Sequence, residues 1–203
     1  MSIQALFPTL VYTARLAPPR ARRLNPRLRA EARQLEADDV AGRRWSQHNY
    51  PGGYTSYGSA SRMHRVSPTF ASLARELDRH VARFARQLEF DLTGRPLAMT
   101  DCWVNRMGAG GAHGLHLHPL STISGTYYVA TPRGAPGLKL EDPRLERFMA
   151  APPRAARGSA RTWVTLPVRA GMLVLFESWL RHEVPANRTR TERLSISFNY
   201  GWF

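Results

Sequence analysis

Four of the seven histidines lie in two short segments of the sequence whose spacing suits metal binding. His116 and His118 stand two residues apart in HGLHLHP, and His182 lies in SWLRHEVP. Residues two apart on an extended strand project from the same face, so this pair would present two imidazoles to one ion. His182 is the best candidate for a third ligand. Imidazoles suit Fe, Zn, Cu or Ni, and three protein ligands leave positions open for catalysis.

The spacing alone does not establish a metal site, because two histidines so placed can also be incidental polar residues of a strand. His113, in the same segment, would make a poor fixed ligand since it lies in the glycine-rich run GAGGAHG. The only cysteine, Cys102, excludes a zinc finger and an internal disulfide framework. A single thiol also fits a reducing compartment, and we expect a cytoplasmic protein.

The final run of alternating residues, from Arg193 to Trp202, places polar and apolar side chains on opposite faces of a predicted strand. The polar face holds Arg193, Ser195, Ser197 and Asn199, and it either meets solvent or lines a pocket. An arginine that faces a pocket is costly unless it meets an anion, and its planar fork matches a carboxylate. Ser195 could donate to the same carboxylate. An internal acid is the alternative partner of Arg193.

The composition is strongly basic, with 29 Lys and Arg against 15 Asp and Glu, a net charge of +14 and a pI of about 11.3. A polyanion such as nucleic acid is one explanation. However, only Lys139 is a lysine, the charge is spread along the chain, and no basic arm stands out. Such an arginine bias is what a GC-rich genome produces, so a nucleic-acid partner is possible but not favoured.

With 203 residues, 43% of them hydrophobic and 22% charged, the chain has the composition of a globular protein. We expect a single domain over 1–203. No apolar run is long enough to cross a membrane, and the first residues lack the layout of a signal peptide. These features exclude disordered, fibrous and membrane-spanning classes, and they leave the oligomeric state open.

The first part of the chain, 1–96, is predicted to hold a strand at Leu6–Tyr12, two helices and a cover loop. Asn25-Pro26 has the form of a helix start, with the asparagine as cap and proline in the first turn. Ser67-Pro68 starts a second helix, which apolar residues at three- and four-residue steps carry to near residue 90. Between the helices, 45–64 is rich in Gly, Ser and Tyr and is typical of a loop over a binding site. Its tyrosines, as candidates for covering substrate, are Tyr50, Tyr54 and Tyr57.

From residue 97 onward the sequence consists of short β-prone runs, most of them separated by Gly, Pro or Asn. The runs are Leu97–Met107, Ile123–Thr131, Leu138–Glu141, Thr162–Val168, Met172–Glu177 and Arg193–Trp202. Helices followed by many short strands are typical of a mainly β fold with flanking helices. We therefore predict a sandwich or barrel at 97–203 with N-terminal helices packed on one outer face.

Several motifs occur here in a fixed order. They are Trp103-x-Asn105, His116-x-His118-Pro119, SGTYY at 124–128, Asp142-Pro143-Arg144 and SWLxH at 178–182. In this order they resemble the motifs of the 2-oxoglutarate–Fe(II)-dependent oxygenases, which have a double-stranded β-helix fold, also called jelly-roll or cupin-like. The resemblance covers 97–203 closely and the helical front more loosely. It implies a jelly-roll core at 97–203 buttressed by the N-terminal part.

For the metal, the resemblance implies that His116 and His182 are the two iron-binding histidines. The wider superfamily has Asp or Glu two residues after the first histidine, whereas this chain has His118. We expect His118 to be the third ligand, which would give an iron centre without charge from its protein ligands. The alternative is that His118 points elsewhere and leaves the position to water or halide.

For the cosubstrate, the resemblance implies that Arg193 and Ser195 clamp the distal carboxylate of 2-oxoglutarate. Tyr128 would donate a second hydrogen bond to that carboxylate. Asn105 would touch the cosubstrate or serve as a structural amide. Tyr127 would point the other way, into the core.

The resemblance thus implies a dioxygenase that uses Fe(II), 2-oxoglutarate and O2. It would hydroxylate a small molecule, an amino acid or a peptide side chain, with release of succinate and CO2. No catalytic side chain is expected beyond the metal centre. Two alternatives stay open: a cupin-type three-histidine iron dioxygenase in which Arg193 holds the substrate's own carboxylate, and a non-catalytic barrel that binds nucleic acid or another polyanion.

Overall fold

Ten strands form two antiparallel sheets in the computed structural model, which describes residues 1–153 and 161–202. In chain order the strands are β1 Val11–Arg15, β2 Gly53–Thr55, β3 Ala98–Met107, β4 His113–His116, β5 Ile123–Ala130, β6 Leu138–Glu141, β7 Trp163–Leu166, β8 Met172–Glu177, β9 His182–Val184 and β10 Arg193–Gly201. The helices are α1 Pro18–Asp38, α2 Val40–Asn49, α3 Met63–Val66 and α4 Pro68–Gln87, and a short 3₁₀ helix spans Leu145–Phe148. The α-helices all precede β3, as the sequence predicts.

The larger sheet has the strand order β1-β8-β5-β10-β3-β2, and the smaller sheet has the order β4-β9-β6-β7. An apolar cluster lies between them, with Met107 and Phe176 from the larger sheet and Leu140 and Val184 from the smaller. Two facing antiparallel sheets with helices on one side confirm the predicted jelly-roll class. Among the described residues no backbone ladder joins the two sheets, so they do not close into a barrel.

The larger core lies between the helices and the outer face of the larger sheet. Strand β10 gives this core its apolar set of Leu194, Ile196, Phe198 and Tyr200. Gly125 of β5 lies directly beneath Phe198, where an added Cβ would come within 2.7 Å of the ring atom Cζ. The glycine of the SGTYY motif is therefore required by packing, since the Phe198 ring occupies the space of a side chain.

Helix α4 is built as its sequence predicts. The Ser67 hydroxyl accepts from the backbone N–H groups of Thr69 and Phe70, and Pro68 occupies the first turn, where no N–H is needed. The buried face is Phe70, Leu73, Leu77, Val81 and Phe84. No helix within 1–153 and 161–202 is both long and apolar enough to span a membrane.

Helix α1 begins at Pro18, so the predicted start at Asn25-Pro26 is wrong. Pro18 and Pro19 supply the prolines of the first turn, and Pro26 lies inside the helix. Asn25 does not cap the helix because its amide is bonded to the sheet. It donates to the Val129 carbonyl at 3.2 Å and accepts from the Tyr127 hydroxyl at 2.6 Å.

The segment 45–64, predicted as a loop, is regular structure over about half of its length. Its first residues complete α2, and β2 pairs with β3. The predicted cover is also wrong for Tyr54, which is buried and donates to Asp39 at 2.7 Å. The early strand is shifted as well, since β1 begins at Val11 rather than Leu6.

Candidate metal and cosubstrate site

Three histidines meet at one edge of the smaller sheet. His116 ends β4 and is the cross-strand partner of His182, the first residue of β9. His118 follows just after β4, and its backbone N–H donates to the Ser178 carbonyl at 3.0 Å. The potential ligand atoms of the three side chains all lie within 4.8 Å of one another. Strands β4 and β9 therefore assemble the set of three that the sequence predicts.

Each imidazole already uses its Nδ1 atom. Nδ1 of His116 contacts the Gly114 carbonyl at 2.7 Å, and Nδ1 of His182 contacts the Leu180 carbonyl at 2.8 Å. Nδ1 of His118 lies 2.6 Å from the side-chain oxygen Oδ1 of Asn199. Because an oxygen acceptor requires a proton on Nδ1, Nε2 of each ring is left as a lone-pair donor. This donor set fits a metal such as iron, for which neutral imidazole is a preferred ligand.

Burial keeps the His182 and His118 rings uncharged. Loss of solvent lowers the pKa of His182 to about 3, helped by the neighbouring His116. Burial also lowers the pKa of His118, although the hydrogen bond to Asn199 opposes the shift. Both rings are therefore in the neutral form that a metal needs at physiological pH.

A polar network fixes the orientation of His118. Asn199 Oδ1 also accepts from the Ser124 hydroxyl at 2.8 Å, and Ser124 is bonded to the Ser178 hydroxyl at 2.8 Å. Asn199, Ser124 and Ser178 are all buried. Such partners hold a ligand ring in the orientation that binding requires.

The histidines face a cavity of about 400 Å³ between the two sheets. Arg193, Ser195 and Ser197, from the polar face of β10, lie along it together with Tyr128 and Asn105. Ser195 is paired with Asn105 on one side and with Tyr128 on the other, so three neighbouring strands bring these residues into one row. The structure thus gathers the four predicted cosubstrate residues in the cavity that also contains the histidines.

Several polar atoms of this cavity are buried and bond to no described residue. They are Arg193 Nε, Tyr128 OH, Tyr50 OH, Asn105 Oδ1 and His113 Nε2. The Arg193 guanidinium carbon lies 4.9 Å from the centre of the Tyr128 ring. Burial raises the pKa of Tyr128, with partial opposition from the Arg193 charge, so its hydroxyl keeps its proton and can donate. A buried cation and a hydroxyl donor without acceptors fit an anionic ligand such as a carboxylate.

Two further sequence predictions concern residues beside this row. Tyr127 is buried in the helix-facing core, as predicted. His113 lies outside the three-histidine group and stacks on Tyr50 with ring centres 4.2 Å apart. The expectation that His113 is not a ligand agrees with this placement.

Comparisons with known proteins agree with this geometry. Residues 101–199 match a sequence model of the family described as "Putative 2OG-Fe(II) oxygenase". The part of the chain from β3 to β10 therefore carries the sequence pattern of the 2OG-Fe(II) oxygenases. That match spans β3 to β10 and includes all three histidines, and the family uses iron, 2-oxoglutarate and O2. No curated protein matches the chain in sequence.

Solved structures show the same fold. HygX from Streptomyces hygroscopicus, with nickel, 2-oxoglutarate and hygromycin B bound, is 17% identical over 95% of this chain and 83% of its own, with a TM-score of 0.62. A Pseudomonas putida prolyl-4-hydroxylase is 18% identical over 95% and 92% of the two chains, with a TM-score of 0.61. The non-haem alpha-ketoglutarate-dependent epimerase SnoN from nogalamycin biosynthesis is 21% identical over 91% of this chain and 82% of its own, with a TM-score of 0.55.

Sequence reasoning missed how two residues contribute to the site. Asn199 was placed on the correct face of β10 by the alternation, but its bond to His118 joins residues that are far apart in sequence. Tyr50 was predicted as part of a substrate cover and does line the cavity, but no spacing signal placed it in the same cavity as Arg193. The alternation of β10 was the one signal that pointed to Asn199.

Proposed function

We propose that the protein is a non-haem Fe(II)- and 2-oxoglutarate-dependent dioxygenase that hydroxylates a small molecule, an amino acid or a peptide side chain. The observation that carries the proposal is the presence, in one cavity, of three converging imidazoles and a buried arginine whose Nε has no partner. HygX and the prolyl-4-hydroxylase support this choice of fold and of substrate size. SnoN is an epimerase, so hydroxylation is the specific part of the proposal.

In this proposal His116, His118 and His182 hold the iron through Nε2. Nδ1–H of each ring would donate to an oxygen acceptor, which fixes the orientation of the ring and leaves Nε2 free for the metal. Because the ligands add no charge, a divalent ion retains both positive charges and favours a dianionic cosubstrate. When bound, Fe(II) with 2-oxoglutarate and O2 supplies the oxidation, and the cosubstrate leaves as succinate and CO2.

The residues at the other end of the cavity would bind the cosubstrate. Arg193 would bind the distal carboxylate through its planar fork, and Ser195 and Tyr128 would donate hydroxyl protons to it. Asn105 donates its amide to Ser197 at 3.0 Å, which holds the amide and turns Oδ1 toward the cavity. Tyr50 has a buried, protonated hydroxyl near the Arg193 charge, and we add it as a further donor on this side.

The test is anaerobic addition of Fe(II) and 2-oxoglutarate to the purified protein. We expect a weak visible charge-transfer band, and in air the formation of succinate. Arg193→Ala should abolish the band while Fe(II) binding persists, and Arg65→Ala, at an exposed arginine, should leave it unchanged. Circular dichroism of both variants checks the fold.

Failure to bind or decarboxylate 2-oxoglutarate with Fe(II) present would overturn the proposal. Oxygen uptake that depends on a thiol and ignores 2-oxoglutarate would instead establish the three-histidine thiol dioxygenase. Salt-sensitive binding of DNA or RNA that survives loss of His116 and His182 would favour the polyanion binder. The single-domain organisation and the cytoplasmic location stay predictions.

A further inference from the structure

The mouth of the cavity has aromatic walls. Trp45 and Tyr57 line it with 48% and 53% of their surfaces exposed, whereas Trp103, also in the lining, is only 6% exposed. The rings of Tyr57 and Trp103 are tilted by 58° with centres 4.9 Å apart. Half-exposed rings at the entrance of a cavity are available for contact with a ligand.

This aromatic wall extends to the metal ligands. The Trp103 ring centre lies 5.7 Å from that of His118. A flat group packed on Trp103 would therefore lie beside the three histidines. Contact with the wall would bring the atoms attached to that group close to the metal, which is where a substrate must be held.

The charge of the cavity is one-sided. The described residues that line it include no Asp, Glu or Lys. Apart from the histidines, Arg193 is the one ionisable side chain among them that is charged at neutral pH. Asp101 affects the pKa of His118 but does not line the cavity. A bound divalent metal would add positive charge to the same space. A cationic substrate would lose its water here without gaining a carboxylate partner.

We propose that the substrate is a neutral or anionic molecule with a flat apolar group, an aromatic ring above all, which packs against Trp103 and Tyr57 and is covered by Trp45. This inference rests on the proposed function, because it places the substrate beside the iron. It excludes polycationic substrates, whose ammonium groups would find no acid in the cavity. The net charge of +14 acts in the same direction, since it raises the local concentration of anions.

The test uses the protein of 203 residues loaded with Ni(II) and 2-oxoglutarate, so that a probe can bind without turnover. Calorimetric titrations compare phenylacetate, 2-phenylethanol, 2-phenylethylamine and cyclohexylacetate, which vary charge and aromaticity separately. We expect the Kd of 2-phenylethylamine to be at least about tenfold weaker than that of phenylacetate, as for a difference of one charge interaction. Cyclohexylacetate should bind about two- to tenfold more weakly than phenylacetate, because it lacks the ring–ring interaction.

Variants of the two exposed aromatic residues localise the effect. Trp45→Ala and Tyr57→Ala should each weaken phenylacetate binding several-fold. Trp202→Ala is the matched control, since Trp202 is 49% exposed and its indole bonds to the Arg95 carbonyl, outside the cavity. Equal Tm values for the three variants would show that the fold is retained.

Several outcomes overturn the inference. It fails if 2-phenylethylamine binds as tightly as phenylacetate, if no aromatic probe binds, or if Trp45→Ala and Tyr57→Ala behave like Trp202→Ala. These results are separate from those that test the proposed function. A protein that decarboxylates 2-oxoglutarate yet ignores all aromatic probes keeps the function and loses this substrate class.

Discussion

Strand β10 presents four apolar side chains to the helices and four polar side chains toward the smaller sheet, and all eight are buried. The apolar set, Leu194, Ile196, Phe198 and Tyr200, packs in the larger core. The polar set, Arg193, Ser195, Ser197 and Asn199, faces the histidines and the cavity. Burial alone therefore does not distinguish the two faces.

The two faces differ in how completely their polar atoms are hydrogen-bonded within the protein. On the helix side the Tyr200 hydroxyl donates to Asp78 at 2.6 Å, so even the polar atom of this face has an internal partner. On the cavity side Arg193 Nε has none among the described residues. A buried guanidinium with an unused donor costs free energy in the protein alone and gains it back when an anion binds. One face of β10 is built for stability and the other for a ligand.

Phe198→Ala should destabilise the core on the helix-facing side of β10. Removal of a fully buried phenylalanine should lower the free energy of unfolding by about 3–5 kcal/mol, because apolar contact is lost and a cavity remains over Gly125. Urea unfolding followed by circular dichroism measures the change.

Ser197→Ala, one residue away on the cavity side, is the control. It loses hydrogen bonds to Asn105 and Thr126 but leaves little empty space, and we expect a cost nearer about 1 kcal/mol. Equal losses in the two variants would contradict a division of labour between the faces.

Asn199→Ala should affect metal binding more than the fold. It removes the nearer of two oxygens that contact Nδ1 of His118, at 2.6 Å against 3.0 Å for Ser124 Oγ, and loss of such a partner costs about 10- to 100-fold in metal affinity. Competition with a chelator against Ni(II), without 2-oxoglutarate, measures the Kd.

Asn199→Asp is the matched variant, since it keeps an oxygen acceptor in the same place. We expect it to restore the affinity, because a carboxylate holds the His118 proton at least as firmly. Ser124 Oγ is the second oxygen at Nδ1, so an affinity that stays unchanged both in Asn199→Ala and in the double variant with Ser124→Ala would mean that His118 does not ligate the metal, the alternative left open by the sequence.

The same comparison explains what the sequence could and could not predict. The period of two along β10 and the spacing of His116 and His118 are local patterns, and the structure has both. The start of α1 was misplaced because Asn25 has the side chain of a helix cap, while its actual partners, Val129 and Tyr127, lie on a distant strand. Local signals cannot register a partner that only the tertiary fold supplies.

Short elements escaped prediction for a related reason. β2, β4 and β9 have three or four residues and lack the apolar alternation that revealed the equally short β6, so they are strands because neighbouring strands pair with them. Two of these three position the metal ligands. The segments nearest to the chemistry were therefore the hardest to assign as strands, although their histidines were recognisable.

Asp39 is a half-buried charged group whose carboxylate accepts hydrogen bonds from within the protein, in contrast to Arg193. It precedes α2, which contains Trp45, and accepts from the Gly42 N–H, the Tyr54 hydroxyl and Ser59. Burial raises the pKa of Asp39, but these hydrogen bonds outweigh burial and hold it below the ordinary value of 3.8. A lowered pKa means that the ionised form stabilises the fold above that value and that this stability is lost as the pH falls through the folded pKa.

Asp39→Ala should accordingly lower the free energy of unfolding by about 1 kcal/mol at pH 7, the usual loss for a helix cap. The gap between wild type and variant should stay constant down to pH 5 and narrow below the ordinary pKa of 3.8, where the Asp39 carboxylate of the unfolded chain takes up a proton while that of the folded protein is still ionised. Urea unfolding at three pH values measures it, with Asp38→Ala, at an exposed neighbour, as control. Because Asp39 is outside the cavity lining, its loss should leave 2-oxoglutarate affinity unchanged. A weakened cosubstrate Kd would show that the orientation of α2 also sets the cavity, and the separation between stabilising and ligand-binding polar groups would then no longer hold.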